Sequence, residues 1–254
     1  MAGYEQFSSE LSTLLSTYPP PFIYVQDSES FKSTCQVVNS VISAIEQVPP
    51  PSSPSSLFSS SSSTTPFIIH STRIDAVSTF TNRLLFESVI NSLAGWDITW
   101  ENGCSNWHPN SDQEGEQEID PRWNENVDTF VHALRAVHGH LCRQHGISRG
   151  KGKGKAIQND STSENIRLVI VIERAERLKE TNPELVVPLT RLAEMVYSSL
   201  DYTPYSLIHG KIQARLDITV IFISQVGWES IRPSLGASPD PYYMDIPPPS
   251  KESQ

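Results

Sequence analysis

The run RLVIVI at 167–172 limits what this chain can fold into more than any other stretch. Its leading arginine is followed by five apolar residues, four of them β-branched and so suited to a pleated strand. Such a strand has no polar face to give to water, so both faces must be covered, as in the middle of a parallel sheet. A second central-type run, ITVIFI, stands at 218–223. PFIYV (21–25) and FIIH (67–70) predict two shorter buried strands, and YYMDI (242–246) a weaker fifth.

Helical spacing fills the intervals. Phe7, Leu11, Leu14 and Leu15 predict an amphipathic helix within 1–18, stopped by Pro19, Pro20 and Pro21. Val38, Val41, Ile42 and Ile45 predict a helix over 32–47. Phe80, Leu84, Leu85, Val89 and Leu93 predict one over 75–93 with all five inward. Val127, Phe130, Val131, Leu134, Val137 and Leu141 form the stripe of a helix over about 125–144. ERAERLKETN reads as a turn. A helix over 183–200 then opens on Pro183, whose missing N–H costs nothing at a first position. Leu189, Leu192, Ala193, Val196 and Leu200 line its inner face. Strands alternating with helices predict an open parallel α/β sheet with right-handed crossovers.

Composition marks what lies outside the core. Only 37% of the residues are apolar, below the usual range of about 45–50%. Residues 49–66 are PPPSSPSSLFSSSSSTTP, too poor in apolar surface to offset ordering entropy, and predict a disordered insertion. Further insertions are expected at 104–124, 146–165 and 201–214. The acidic run 112–120 reads as a solvated loop, and RGKGKGK (149–155) as a flexible spacer. The expected organisation is an N-terminal helix (1–18), one α/β domain (19–248) and a short tail (249–254). With 29 acidic and 19 basic residues the net charge is −10, which excludes coating nucleic acid by bulk electrostatics. No apolar run is long enough to span a membrane, and the N-terminus lacks a secretory signal pattern. Three unevenly spaced cysteines make no disulfide framework and suit a reducing compartment, cytosol or nucleus.

Three stretches can carry chemistry. FIYVQDSESFKST (22–34) has the layout of a phosphate-binding loop: strand, short loop, then Lys32 and Ser33 opening a helix. In such a loop glycines let backbone N–H groups wrap the phosphates, lysine neutralises them, and the hydroxyl binds Mg²⁺. Here Gln26 and Phe31 hold the glycine positions, where a Cβ crowds the backbone against a nucleotide. The same residues also suit an ordinary strand-to-helix turn. LVIVIERAER (168–177) ends its strand on Glu173, where an NTPase keeps a Mg²⁺-side carboxylate. Arg174 follows in the expected general-base position and cannot act as a base, and Glu176 lies too far round the turn to replace it. ISQVGWESIRP (223–233) places Ser224 where a polar residue would sense a γ-phosphate. Its Arg232 reads as reaching a neighbour's phosphate or as a surface or ion-paired arginine. His138, Cys142 and His145 share one helix face and read either as zinc ligands or as residues favouring the helix dipole. Trp96, Trp100, Trp107 and Trp123 read as loop and core anchors, with an aromatic platform as the alternative.

Taken in order, RLVIVIERAERLKE (167–180), FTNRLLFESVINSL (80–93), ENGCSNW (101–107) ahead of NVDTFVHALRAV (126–137), and ISQVGWESIRP resemble the AAA+ core of the fungal-type origin recognition complex subunit 5 family. The resemblance covers about residues 20–248. It implies a P-loop NTPase (AAA+) domain with a Rossmann-like parallel sheet flanked by helices. It also implies a helical lid and winged-helix modules, which these 254 residues are expected to lack. Family membership implies a nuclear subunit, one of six that bind replication origins and load the replicative helicase. Such a subunit is a nucleotide-holding scaffold rather than an active ATPase. Carried over by position, Lys32 and Ser33 would be the phosphate-loop pair, Glu173 the Mg²⁺-side acid, Ser224 the sensor and Arg232 the inter-subunit arginine. No catalytic residue and no metal site is assigned. ATP and Mg²⁺ are the implied cofactors, with weak or no binding expected from Gln26 and Phe31. The implied partners are the other complex subunits, with DNA met indirectly through the ring and no membrane. A free-standing AAA+ ATPase is the rival reading, for which intact glycines and an Asp-Glu pair would speak. A zinc-dependent protein is a third.

Overall fold

The structure, a computed structural model, describes residues 2–47, 67–96, 124–145, 165–198, 216–234 and 238–246. Its centre is the stretch singled out by sequence. Strand β3 (Asn165–Glu173) pairs in parallel with β2 (Phe67–Asp75) on one side and β4 (Asp217–Ser224) on the other. Strand β1 (Phe22–Gln26) lies between β4 and β5 (Tyr242–Asp245), giving a five-stranded parallel sheet in the order β2-β3-β4-β1-β5.

The two-residue pleat of the strands sorts their side chains into two cores. Leu168, Ile170 and Ile172, with Val220 and Phe222, face α3 (Asn82–Leu93), α4 (Val127–Gln144), α6 (Pro183–Thr190) and α7 (Leu192–Ser198). Val169 and Val171, with Ile221 and Ile223, face α1 (Ala2–Ser16) and α2 (Phe31–Glu46). Helix α1 joins this second core through the buried Phe7, Leu11 and Leu15. Arg167, itself buried, ties it there. Its Nη1 donates to the Leu15 carbonyl (2.6 Å), its Nε donates to Asp217 Oδ2 (2.9 Å), and its guanidinium lies over the Phe67 ring. One cation thus satisfies a carbonyl that the end of α1 leaves orphaned.

Several elements differ from their predicted bounds, each for a local reason. β2 runs nine residues, not four, because STRID continues the ladder against β3 as far as Asp75↔Glu173. The helix predicted over 75–93 begins only at Asn82. The Asp75 carbonyl instead accepts from the backbone N–H groups of Ser78 and Thr79, and Thr81 caps α3 by accepting from the Leu84 N–H (3.2 Å). Phe80 and Leu84, predicted inward, are therefore exposed. Gly95, at φ 66°, closes α3 with a Schellman arrangement in which Trp96 N–H bonds to Asn91 O. The segment predicted as a turn after β3 is a 3₁₀ turn (Ala175–Arg177) and the short α5 (Leu178–Thr181). The single helix predicted over 183–200 is α6 followed by α7, interrupted at Arg191 three residues after Pro188. Pro188 lies inside α6, and the break falls on its C-terminal side, where Arg191 leaves the helical region at φ −106° and ψ 12°. Helix α4 starts with a reciprocal capping box between Asn126 and Thr129.

The insertions expected at 49–66, 104–124, 146–165 and 201–214 and the tail at 249–254 lie outside the described residues, except Asn124 and Asn165. Asn124 is buried and donates to Glu87 Oε1 (2.6 Å). Trp96 packs against the α3–α4 core, whereas Trp100, Trp107 and Trp123 are outside the described set. Among the described residues no helix is long and apolar enough to cross a membrane.

An aromatic group closes the β1–β4 end of the first core. The Trp228 ring of α8 (Trp228–Ile231) meets Phe22 at 5.2 Å, Tyr24 at 5.4 Å and Phe222 at 6.5 Å between centroids. Trp228→Ala should cost about 3–5 kcal/mol and lower the melting temperature by roughly 10 °C. Thermal unfolding followed by circular dichroism reads the shift, and a change of only a degree or two would show that the ring is not part of the core.

Candidate functional site

The carboxyl ends of parallel strands are where such sheets place their crevice. Here that edge holds a cleft of about 1030 Å³. Lys32, Ser33 and Glu173 all line it, so three of the five site residues named by sequence converge. Ser224 is fully buried beneath it, and Arg232 lies in a separate groove with Lys179, Pro183 and Pro233.

The loop between β1 and α2 is organised by Asp27. This buried carboxylate accepts through Oδ1 from the backbone N–H groups of Glu29 (2.9 Å) and Ser30 (2.8 Å). Its Oδ2 takes the Thr34 hydroxyl in a very short contact and the Tyr4 hydroxyl of α1 at 3.4 Å. Two of the loop's N–H groups are thus committed to a side chain of the same loop. Asp27 is not among the residues the motif spacing predicts, although an aspartate that begins a turn and bonds to its own backbone two residues on is a known signal. Gln26, at the first glycine position, turns its side chain toward β5, where the Tyr243 hydroxyl meets its Oε1 in a very short contact. Lys32 is exposed and has no hydrogen bond or ion pair with any described residue.

The far wall is the turn after β3. Glu173 sits 3.1 Å from the Nε of Arg73, although its Oε1 has no hydrogen-bonding geometry to any partner. Cys35 of α2 lies against Glu173. Burial, then the Glu173 charge and hydrogen bond, push its thiol up to about 12, so it stays protonated and inert as a nucleophile. Arg174 is the one non-glycine among the described residues with positive φ (54°). Its guanidinium grips the Asp75 carboxylate twice, once from Nε to Oδ1 at 2.8 Å and once in a very short Nη2–Oδ2 pair. That left-handed turn redirects the chain and brings Glu176 back into the cleft. Glu176, expected from sequence to lie too far round the turn to act as the base, lines the cleft with its carboxylate turned to Ser224. Its Oε2 accepts from the Ser224 hydroxyl at 2.8 Å, and Ser224 Oγ in turn accepts from the Val226 N–H (3.2 Å). Arg177 pairs with Glu180 (2.9 Å) at the rim.

Arg232 is held within the chain. Its Nη1 is 3.7 Å from Glu229 and 3.5 Å from Asp240. The third reading, a zinc site, loses its geometry. His145 turns away from His138 and Cys142 to meet His70, with their Nε2 atoms 2.9 Å apart. His138 approaches the Cys142 thiol only at 3.8–3.9 Å, and burial holds its pKa below the ordinary histidine value. No group of three ligand side chains able to hold a metal exists among the described residues.

No family model matches this chain. No curated protein matches it either. Among solved structures it is similar to a chain in the structure of Drosophila ORC bound to DNA, with a TM-score of 0.50 and 16% sequence identity. The similarity covers 95% of this chain and 46% of that one, so this chain spans less than half the length of its structural neighbour. At that identity the likeness speaks for the fold alone, an α/β fold with a five-stranded parallel sheet flanked by helices on both faces.

Burial pushes the Asp27 carboxyl up, but the Ser30 N–H, the Thr34 hydroxyl, the Glu29 N–H and the Tyr4 hydroxyl together outweigh it and hold the group below the ordinary carboxylate range. A carboxyl with a lower pKa folded than unfolded binds fewer protons in the fold. Its stabilisation is complete above about pH 4 and is lost as pH falls through the folded value. Asp27→Asn should therefore destabilise the chain by about 1–3 kcal/mol near neutral pH. In urea unfolding the gap to the parent should close in acid, and a gap that is the same in both conditions would contradict the assignment.

Proposed function

We propose that this chain is a scaffold subunit of an origin recognition complex, akin to subunit 5, that helps the assembly bind replication origins in the nucleus. The observation that carries the proposal is the likeness to a chain of DNA-bound Drosophila ORC, which extends over 95% of the residues here. The collinear motifs that resemble the subunit 5 family point the same way. The other subunits are its partners, and DNA is met through the assembled ring, in keeping with a net charge of −10.

Little or no hydrolysis belongs to this reading. Arg174 stands where a general base would act, and its guanidinium is engaged by Asp75. Glu176, the carboxylate nearest that role, is hydrogen-bonded to Ser224. Arg232 is 37% exposed in its side chain and held by two acidic groups at long range, an arrangement that a neighbour's phosphate could replace.

Purified chain should turn over ATP no faster than buffer, and turnover abolished by Lys32→Ala would instead favour the free-standing ATPase. In nuclear extract the tagged chain should co-purify with AAA+ subunits of the origin complex. Arg232→Ala should weaken that recovery or lower the neighbour's ATP turnover roughly tenfold or more. A folded chain that recovers none of those subunits would refute the scaffold role.

A further inference from the structure

Three features of the cleft answer one another. Asp27 places a buried carboxylate on the Glu29 and Ser30 N–H groups and the Thr34 hydroxyl. Arg73 places a guanidinium 3.1 Å from Glu173, the carboxylate at the end of the central strand. Arg174 is paired with Asp75. In a phosphate loop the N–H groups wait for an anion and the strand-end carboxylate waits for a divalent cation. Here each has its counter-charge from within the chain.

We propose that the cleft is self-liganded: Asp27 stands in for a phosphate group and Arg73 for the divalent cation, so the chain in this form does not take up a magnesium-bound nucleoside triphosphate. The inference rests on reading the cleft as a nucleotide-type site, and it concerns what fills that site rather than which assembly the chain joins. The residues present do not fit the group. A triphosphate entering the loop meets the Asp27 carboxylate on the donors it would need, and Mg²⁺ meets a guanidinium on the carboxylate it would need. Phe31 at the second glycine position packs against the α1–α2 core and lines the same cleft. Lys32 and Ser33 line the cleft, and an exposed lysine and a hydroxyl without a wrapped backbone make a weak phosphate anchor.

This arrangement has a consequence that an ordinary surface ion pair would not have. Removing a surrogate should create a demand for the species it replaces. The test is a thermal-unfolding series on the whole chain with millimolar Mg-ATP, pyrophosphate or Mg²⁺ alone. The parent should melt at the same temperature in all of them. Asp27→Ala should melt lower than the parent, and pyrophosphate should restore part of that loss. Arg73→Gln changes a half-exposed side chain and so preserves folding. Mg²⁺ should raise its melting temperature by a few degrees and leave the parent unmoved. A parent stabilised by Mg-ATP overturns the proposal. So does a pair of variants that respond to pyrophosphate and Mg²⁺ no more than the parent does. Neither outcome bears on whether origin-complex subunits are recovered with the chain, so the two readings fail separately.

Discussion

The ion pair between Asp75 and Arg174 joins the ends of two neighbouring strands, and the working edge of the sheet is arranged around it. Asp75 ends β2 opposite Glu173 in the ladder, and the Ala76 N–H continues the bonding to the Glu173 carbonyl. Arg174 then turns into the left-handed region, a conformation that costs a residue with a Cβ about 1–2 kcal/mol. The two-pronged grip on Asp75 from one side and the burial of Ala175 and Leu178 on the other hold it there. With the turn so fixed, Glu176 reaches Ser224 and α5 lies where Lys179 Nζ can donate to the Ser230 carbonyl (2.7 Å). The ends of β2, β3 and β4 are thereby linked by polar contacts across the mouth of the cleft.

That linkage changes what the cleft is suited to do. In a hydrolytic site the strand-end carboxylate and its follower must be free to face a cation and a water. Here the follower is an arginine engaged in holding strands together, and the carboxylate faces Arg73. The loop on the opposite wall is filled by Asp27, which also receives Tyr4 from α1. The N-terminal helix is therefore connected to the cleft as well as to the sheet, through Tyr4 at one end and the Arg167–Leu15 bond at the other.

Much of this fold could be read from residues in order, because the signals were local and strong. Both central strands, the parallel sheet and the stripes of α2 and α4 follow from periodicity that tertiary contacts only reinforced. What could not be read depended on polar contacts between distant segments. The start of α3 moved from 75 to 82 because the Asp75 carbonyl and side chain organise a turn that competes with helix. Apolar spacing over 183–200 is continuous and carries no mark of the break at Arg191. In the cleft, Lys32, Ser33 and Glu173 were legible from motif spacing. Asp27 was not legible, because the phosphate-loop pattern specifies the glycines and the Lys-Ser pair and leaves the position between them open. The contact of Glu176 with Ser224 follows from the left-handed turn at Arg174, which no motif spacing announces.

The most direct test of this account is an experimental structure of the chain determined in millimolar Mg-ATP. The account predicts a cleft without nucleotide, with Asp27 on the Glu29 and Ser30 N–H groups, Arg73 beside Glu173, and Arg174 on Asp75. A triphosphate wrapped by the loop, with Lys32 on its phosphates and Asp27 swung out, would contradict it.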